Sequence, residues 1–279
     1  MRSSNRTGRV AVVTGATTGI GAATAQALAS RGFTVYGTGR DASRVQESAR
    51  VIPIQLDVTD EASMRRATQE ILTREAHIDV LVNNAGHCLN GFLEDLPMAD
   101  IRRQFETNVF GLIRMTQLVL PSMRAAGGGR VIHVGSVGGV ITAPGAGAYH
   151  ASKFAVEAIA DVHRMELKRF GIEVVLVQPT GVDTPFLRKV LDTYPGTGVT
   201  SPYADQLEAH RATVASLGEA GPGFLVITAE KVAQAIAHQA TARRPRTRVL
   251  VGASARAFVG IRRHVPDRVW DRLATSQLG

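Results

Sequence analysis

Thr14-Gly15-Ala16-Thr17-Thr18-Gly19-Ile20-Gly21 is the stretch whose reading decides the fold. It follows an apolar run at residues 10–14 with the pattern of a buried strand, and it opens an Ala-rich, helix-prone segment at residues 20–30. Glycines at such a junction let the chain turn tightly and approach a pyrophosphate with no Cβ in the way. The helix that follows offers N–H groups and the positive end of its dipole to the phosphates. Strand, glycine turn and helix in this order point to a dinucleotide-binding unit.

The same alternation continues outward. Apolar runs at residues 34–39, 51–56, 78–82, 131–134, 172–177 and 248–251 read as six further strands. Helical patterns cover residues 61–75, 99–126 and 149–170, the second stopped by Gly127-Gly128-Gly129. Short buried strands separated by helices predict parallel βαβ units. The expected fold is therefore α/β: one Rossmann domain over residues 1–279, a doubly wound seven-stranded parallel sheet with helices on both faces. Ligands are expected at the carboxyl ends of the strands. The least regular stretch, about 184–225, carries Pro185, Pro195, Gly196, Gly198, Pro202 and Gly221-Pro222-Gly223, and reads as a substrate loop or lid. Residues from about 253 to 279 read as a basic helical tail.

Composition narrows the class. Of 279 residues 44% are hydrophobic, and no apolar run reaches the length of a membrane span. Residues 1–9 are polar and basic without the apolar core of a secretory signal. Cys88 is the only cysteine, which excludes an internal disulfide and fits a reducing, cytoplasmic compartment. The eight histidines show no metal-ligand spacing, and His133, His163 and His238 read as satisfied structural residues. The net charge is +8, and nine arginines against two aspartates lie beyond residue 242. A solvated helical face explains this run. Weak contact with an anionic membrane surface is the alternative, and few aromatic residues stand there to stack on bases, so no nucleic acid partner is expected.

The spacing Gly-x-x-x-Gly-x-Gly differs from Gly-x-Gly-x-x-Gly and resembles the opening signature of the short-chain dehydrogenase/reductase family, Thr-Gly-x-x-x-Gly-Ile-Gly. Asn83-Asn84-Ala85-Gly86 resembles the motif after that family's fourth strand, and Asp57-Val58 the pair beside the adenine ring. Asp57 also has a plain structural reading as a strand-end turn residue before a helix. The resemblance implies cofactor contacts from Gly15, Thr17, Thr18, Gly19, Ile20, Gly21, Asp57, Val58, Asn83, Ala85 and Gly86. Where NAD enzymes place an acid at the end of the second strand this chain has Gly39, followed by Arg40, a forked cation suited to phosphate. That pair, with the Thr18 hydroxyl, points to NADP(H).

Tyr149 and Lys153 share a helix face at i, i+4. A free tyrosine titrates near pH 10, and a neighbouring ammonium favours its phenolate, which suits proton exchange near neutrality. Ser136 follows the fifth strand, at the carboxyl edge of the sheet, and Asn108 falls within the long helix after the fourth. These four match the family's tetrad. By that resemblance Tyr149 is the general acid/base, and Lys153 binds the nicotinamide ribose and tunes Tyr149. Ser136 polarises the substrate oxygen, and Asn108 organises a proton relay. Pro179, Val182 and Thr184 match positions near the nicotinamide, while Thr180 stands where the family has glycine and is expected to alter the local backbone. His87 and Cys88 fall where relatives line the substrate cleft.

The segments around Ser136 and residues 184–191 resemble the branch containing estradiol 17β-dehydrogenase type 1 and the retinol dehydrogenases. An NADP(H)-dependent oxidoreductase acting on a bulky apolar ketone or secondary alcohol is thus expected, as a homodimer or homotetramer. Phe186, Leu187, Val190, Leu191, Tyr194, Leu207, Leu217, Phe224 and Leu225 are candidates for an apolar pocket. The rival reading is a catalytically silent nucleotide sensor or scaffold of the same fold. Such proteins commonly lose the tyrosine or the lysine, and this chain keeps both.

Overall fold

A parallel sheet carries the molecule. In the computed structural model, which describes residues 8–193, 201–219 and 221–276, its strands run in the order β3-β2-β1-β4-β5-β6-β9. The chain enters at β1 (Arg9–Val13), then α1 (Gly19–Ala29), β2 (Phe33–Gly39), β3 (Val51–Gln55), α2 (Glu61–Glu75) and β4 (Val80–Asn83). Next come α3 (Met98–Phe105), a π turn (Glu106–Phe110), α4 (Gly111–Ala125), β5 (Gly129–Val134) and α5 (Gly147–Leu167). The second half holds β6 (Ile172–Pro179), β7 (Gly181–Asp183), α6 (Pro185–Val190), α7 (Ala204–Glu219), β8 (Val226–Thr228) and α8 (Ala229–Thr241). It ends with β9 (Arg248–Val251), α9 (Ala253–His264) and α10 (Asp267–Thr275). The order reverses between β1 and β4, the switch point where a doubly wound sheet opens a crevice.

Alternate strand residues feed two cores, because successive side chains leave a strand on opposite faces. Ala11, Val13, Val35, Val82, Ile132 and Val175 pack beneath α1 and α8. Val10, Val12, Leu81, Val131 and Val174 pack beneath α2 and α4, against Met64, Ile71, Met115 and Met123. Each fully buried aliphatic side chain contributes about 1.5–3 kcal/mol. Both faces are therefore covered, as the strand patterns predict.

Three expectations change. The region 184–225 is not a structureless loop: it holds α6, a 3-10 turn and the sixteen-residue α7, and β7 pairs with β8 in a small second sheet. Tyr194, Pro195, Gly196 and Gly198 lie outside the described residues, as do the side chains of Val190 and Leu217. The long helix after β4 is broken by the π turn. The arginines beyond residue 242 are not one helical face, because β9 divides them. Arg243, Arg244 and Arg246 precede the strand at one edge of the sheet, whereas Arg256, Arg263, Arg268 and Arg272 follow it at the other. Arg248 is spent on Glu157 and Asp161, and Arg262 on Asp267. Among the described residues no helix is long and apolar enough to cross a membrane, and no cluster of three metal-ligating side chains occurs.

Candidate active site

The glycine turn between β1 and α1 is shaped by its neighbours. Gly15 has φ +67°, and a Cβ there would lie 3.0 Å from Ala85 Cα. A Cβ at Gly21 would sit 2.1 Å from Gly15 O, which no side chain tolerates. Gly19, at φ +56°, lies against the Thr184 methyl, so the chain just after β7 reaches the cradle. Thr18 is the N-cap of α1 and makes no side-chain cap bond, leaving an exposed hydroxyl at a helix N-terminus. These features fit a dinucleotide pyrophosphate.

The two asparagines after β4 divide their work. Asn84, which sequence reasoning passed over, clamps the cradle: its Nδ2 donates to Thr14 O (2.9 Å) and Gly15 O (3.1 Å). Thr14 Oγ1 accepts in turn from the N–H groups of Asn84 and Ala85. Asn83 was expected at the cofactor, but its side chain is committed to the core. Its Nδ2 donates to Thr116 Oγ1 at 3.0 Å and lies 3.2 Å from His133 Nδ1. Alternation at a strand end sends neighbours to opposite sides, and the motif alone does not say which.

At the end of β2, a Cβ on Gly39 would stand 2.4 Å from the Thr17 methyl. A side chain there would need the Thr17 methyl to move aside. Arg40 beside it is exposed, and its carbonyl accepts from Gln55 Nε2 at 3.1 Å. Asp57 shapes the turn after β3 by accepting from the N–H and hydroxyl of Thr59, while Asp60 caps α2. Val58 is buried, and its carbonyl would be 2.6 Å from a Cβ at Gly111, so glycine lets α4 approach.

The π turn holds Asn108, and a widened turn of this kind often marks a functional site. Asn108 Oδ1 accepts from His87 N (3.0 Å), and its Nδ2 donates to His87 O (3.0 Å) and Ser152 Oγ (3.1 Å). Gly86 lies against the same side chain: a Cβ there would be 3.1 Å from Asn108 Oδ1. Ser136 follows β5 and starts a 3-10 turn, its Oγ accepting from Gly138 N at 3.0 Å. Lys153 is buried and donates to Val134 O at 3.0 Å, with Nζ 5.8 Å from the Tyr149 ring centre.

Electrostatics correct one expectation. Burial raises the Tyr149 phenol above its ordinary value, Cys88 adds to the rise, and the neighbouring Ser136 hydroxyl opposes it. Burial also lowers the Lys153 ammonium to about 8. The ammonium stands over the Tyr149 ring, as the i, i+4 spacing expects, yet among protein groups alone burial decides the direction of the Tyr149 shift.

The substrate side is apolar. Cys88, its thiol pushed up to about 12 by burial, packs with Tyr149, Leu191, Leu207 and Val214. The Phe186 ring centre is 6.3 Å from that of Tyr149. Burial lowers the His87 pKa, with Arg103 and Arg40 adding to the effect. Phe224 and Leu225 are exposed, at 59% and 41%, and do not join this cluster. Thr180 causes no strain: among the described non-glycine residues only Ala76 has positive φ. Its hydroxyl donates to Leu225 O at 3.1 Å and accepts from Ser254 Oγ at 2.8 Å, tying β6 to the segment before β8 and to α9.

The fold and site define a Rossmann-type oxidoreductase that works with a nicotinamide cofactor. A family model described as short chain dehydrogenase matches residues 9–195. The chain belongs to the short-chain dehydrogenase/reductase family. It is 39% identical over 199 residues to a 3-ketodihydrosphingosine reductase of Bacteroides thetaiotaomicron, covering 71% of this chain and 72% of that one. It is 32% identical to an NADPH-dependent 3-dehydrocapnine reductase of Ornithobacterium rhinotracheale, over 95% of both chains. Human 17-beta-hydroxysteroid dehydrogenase type 1 is 39% identical over 65% of this chain and 59% of its own length. A short-chain dehydrogenase from Streptomyces avermitilis superposes with a TM-score of 0.80 over 96% of both chains at 31% identity.

Proposed function

We propose that this protein is an NADP(H)-dependent reductase of a bulky apolar ketone, reversible toward the secondary alcohol. The observation that carries the reading is the assembly of Tyr149, Lys153 and Ser136 beside an apolar wall at the carboxyl edge of the sheet. A nicotinamide cofactor held by the glycine cradle and Lys153 would supply the hydride for the carbonyl carbon. Tyr149 gives its phenolic proton to the carbonyl oxygen, and Ser136 donates a hydrogen bond to that oxygen as charge develops on it. Lys153, fixed by Val134 O, holds the nicotinamide ribose and stabilises the phenolate left after transfer.

Support for the 2′-phosphate comes from the Gly39–Thr17 packing, from exposed Arg40 and from the uncommitted Thr18 hydroxyl. Residues 184–225 form the substrate-binding segment in this reading, which also has the protein act in the cytoplasm as a homo-oligomer. NADPH oxidation against a panel of ketones of increasing size tests the activity, with Tyr149→Phe as control. Turnover that survives this substitution overturns the mechanism.

A further inference from the structure

Gln104 is fully buried, and the reaction as written gives it no part. It lies in α3 four residues before Asn108, across the start of the π turn. Its Oε1 accepts from Leu89 N at 2.7 Å, and its Nε2 donates to His87 O at 2.6 Å. Asn108 takes the N–H of His87 and donates to the same carbonyl. Two carboxamides thus offer donors and acceptors to the main chain of residues 87–89, as the edge of a neighbouring strand would. Buried main-chain groups must be paired, and side chains do here what a sheet does elsewhere. With residues 87 and 89 held from the helix side, Cys88 between them packs on Tyr149, Leu191, Leu207 and Val214.

We propose that Gln104 is a positioning residue: with Asn108 it fixes the His87–Leu89 main chain, sets the Cys88 wall against Tyr149, and so determines how the apolar substituent of the ketone is seated. The kinetic part rests on the reductase reading; the wall itself does not.

Gln104→Met keeps the length and removes both hydrogen bonds, while Gln104→Glu keeps the acceptor and regains the donor only when its carboxyl is protonated. Cys88 is the sole cysteine, so labelling by dithionitrobenzoate reports directly on the wall. The loss of two neutral hydrogen bonds in Gln104→Met is expected to speed labelling about tenfold and to raise the ketone KM by a similar factor. The NADPH Kd is expected to stay within about twofold, because the cradle keeps its own bonds from Asn84 to Thr14 and Gly15. Gln104→Glu is expected to raise the KM at pH 8.5, where the donor to His87 O is missing, and to recover it as the pH falls and the carboxyl becomes a donor, which a general folding defect does not do. Should Gln104→Met fail to fold, the pH recovery of Gln104→Glu carries the test. Wild-type labelling and KM in Gln104→Met, or no recovery in Gln104→Glu, overturn the proposal. If the wild type reduces no ketone, the reductase reading fails and the labelling rates alone decide on the wall.

Discussion

The side chain of Asn108 reaches the main chain of Tyr149 through one hydroxyl: its Nδ2 donates to Ser152 Oγ at 3.1 Å, and that hydroxyl donates to Tyr149 O at 2.7 Å. Because Asn108 also grips His87, the π turn, the cleft wall and the first turn of α5 form one polar unit. Ser152→Ala cuts only the middle link. A neutral hydrogen bond contributes about 0.5–1.5 kcal/mol, so kcat is expected to fall about threefold to tenfold with unchanged far-ultraviolet circular dichroism. Steady-state NADPH oxidation measures it, and an unaltered kcat would detach Asn108 from the reaction.

Cofactor choice has its own test at β2. Arg40→Asp removes the cation proposed for the 2′-phosphate and is expected to shift the NADPH/NADH ratio of kcat/KM toward NADH by about tenfold to a hundredfold, the worth of a charged hydrogen bond. Gly39→Asp alone is expected to weaken both cofactors, because its Cβ meets the Thr17 methyl at 2.4 Å. Adding Thr17→Gly relieves that contact and is expected to recover NADH binding selectively. Equal use of NAD and NADP by the wild type contradicts the argument.

Tyr149→Phe is expected to lower turnover by about 10²–10⁴-fold, the usual contribution of a positioned acid or base. Ser136→Ala removes the hydroxyl that lowers the Tyr149 pKa against the rise from burial. The phenol then titrates higher still. Alcohol oxidation needs the phenolate, so its pH–rate profile should move to higher pH in this variant. A profile that moves down, or stays, refutes the Ser136 contact as the cause.

His133 makes acid stability testable. Burial, reinforced by His163, lowers it from 6.5 to about 3 in the folded state. An unfolded histidine near 6.5 binds a proton that the folded one refuses. Stability linked to this group is therefore complete above pH 6.5 and is lost progressively as the pH falls toward 3. His163, itself lowered by burial and raised by Glu166, lies on its open side. His133→Gln does not titrate, so its urea midpoint should change less between pH 7 and pH 4.5 than that of the wild type.

Exposed Phe110, Phe154, Val162 and Met165, the last at 63%, leave apolar surface along the π turn and α5. In the proposed homo-oligomer this surface is covered. Phe154→Asp with Met165→Asp is expected to reduce the sedimentation coefficient to that of a monomer. A wild type that sediments as a monomer removes the proposal.

Much of this molecule was legible along the chain. Each strand of the main sheet is an apolar run of fixed period, and displacements fall at the ends: the strand expected at 172–177 extends to Pro179, and that expected at 78–82 begins at Val80. The helix α7 was not legible. The Pro and Gly residues before it read as loop, and the residues that bury it, Leu207 and Val214, only make sense once the Tyr149 wall is in place. The π turn hid for a similar reason. Its residues suit an ordinary α-helix, and the close approach of Gly111 to Val58 belongs to the packed pair of segments.

The chemistry on offer is written along the chain: a glycine cradle, Ser136, Tyr149 with Lys153, and no acid at the end of β2. Residue type and spacing within one turn or one strand are local, and local geometry follows from the covalent chain. Folding settles that Asn84 clamps the cradle while Asn83 serves the core, and that the Thr17 methyl packs against Gly39. It alone set Gln104 and Asn108 against His87. Those relations join segments brought together by burial, and no window along the chain contains both partners.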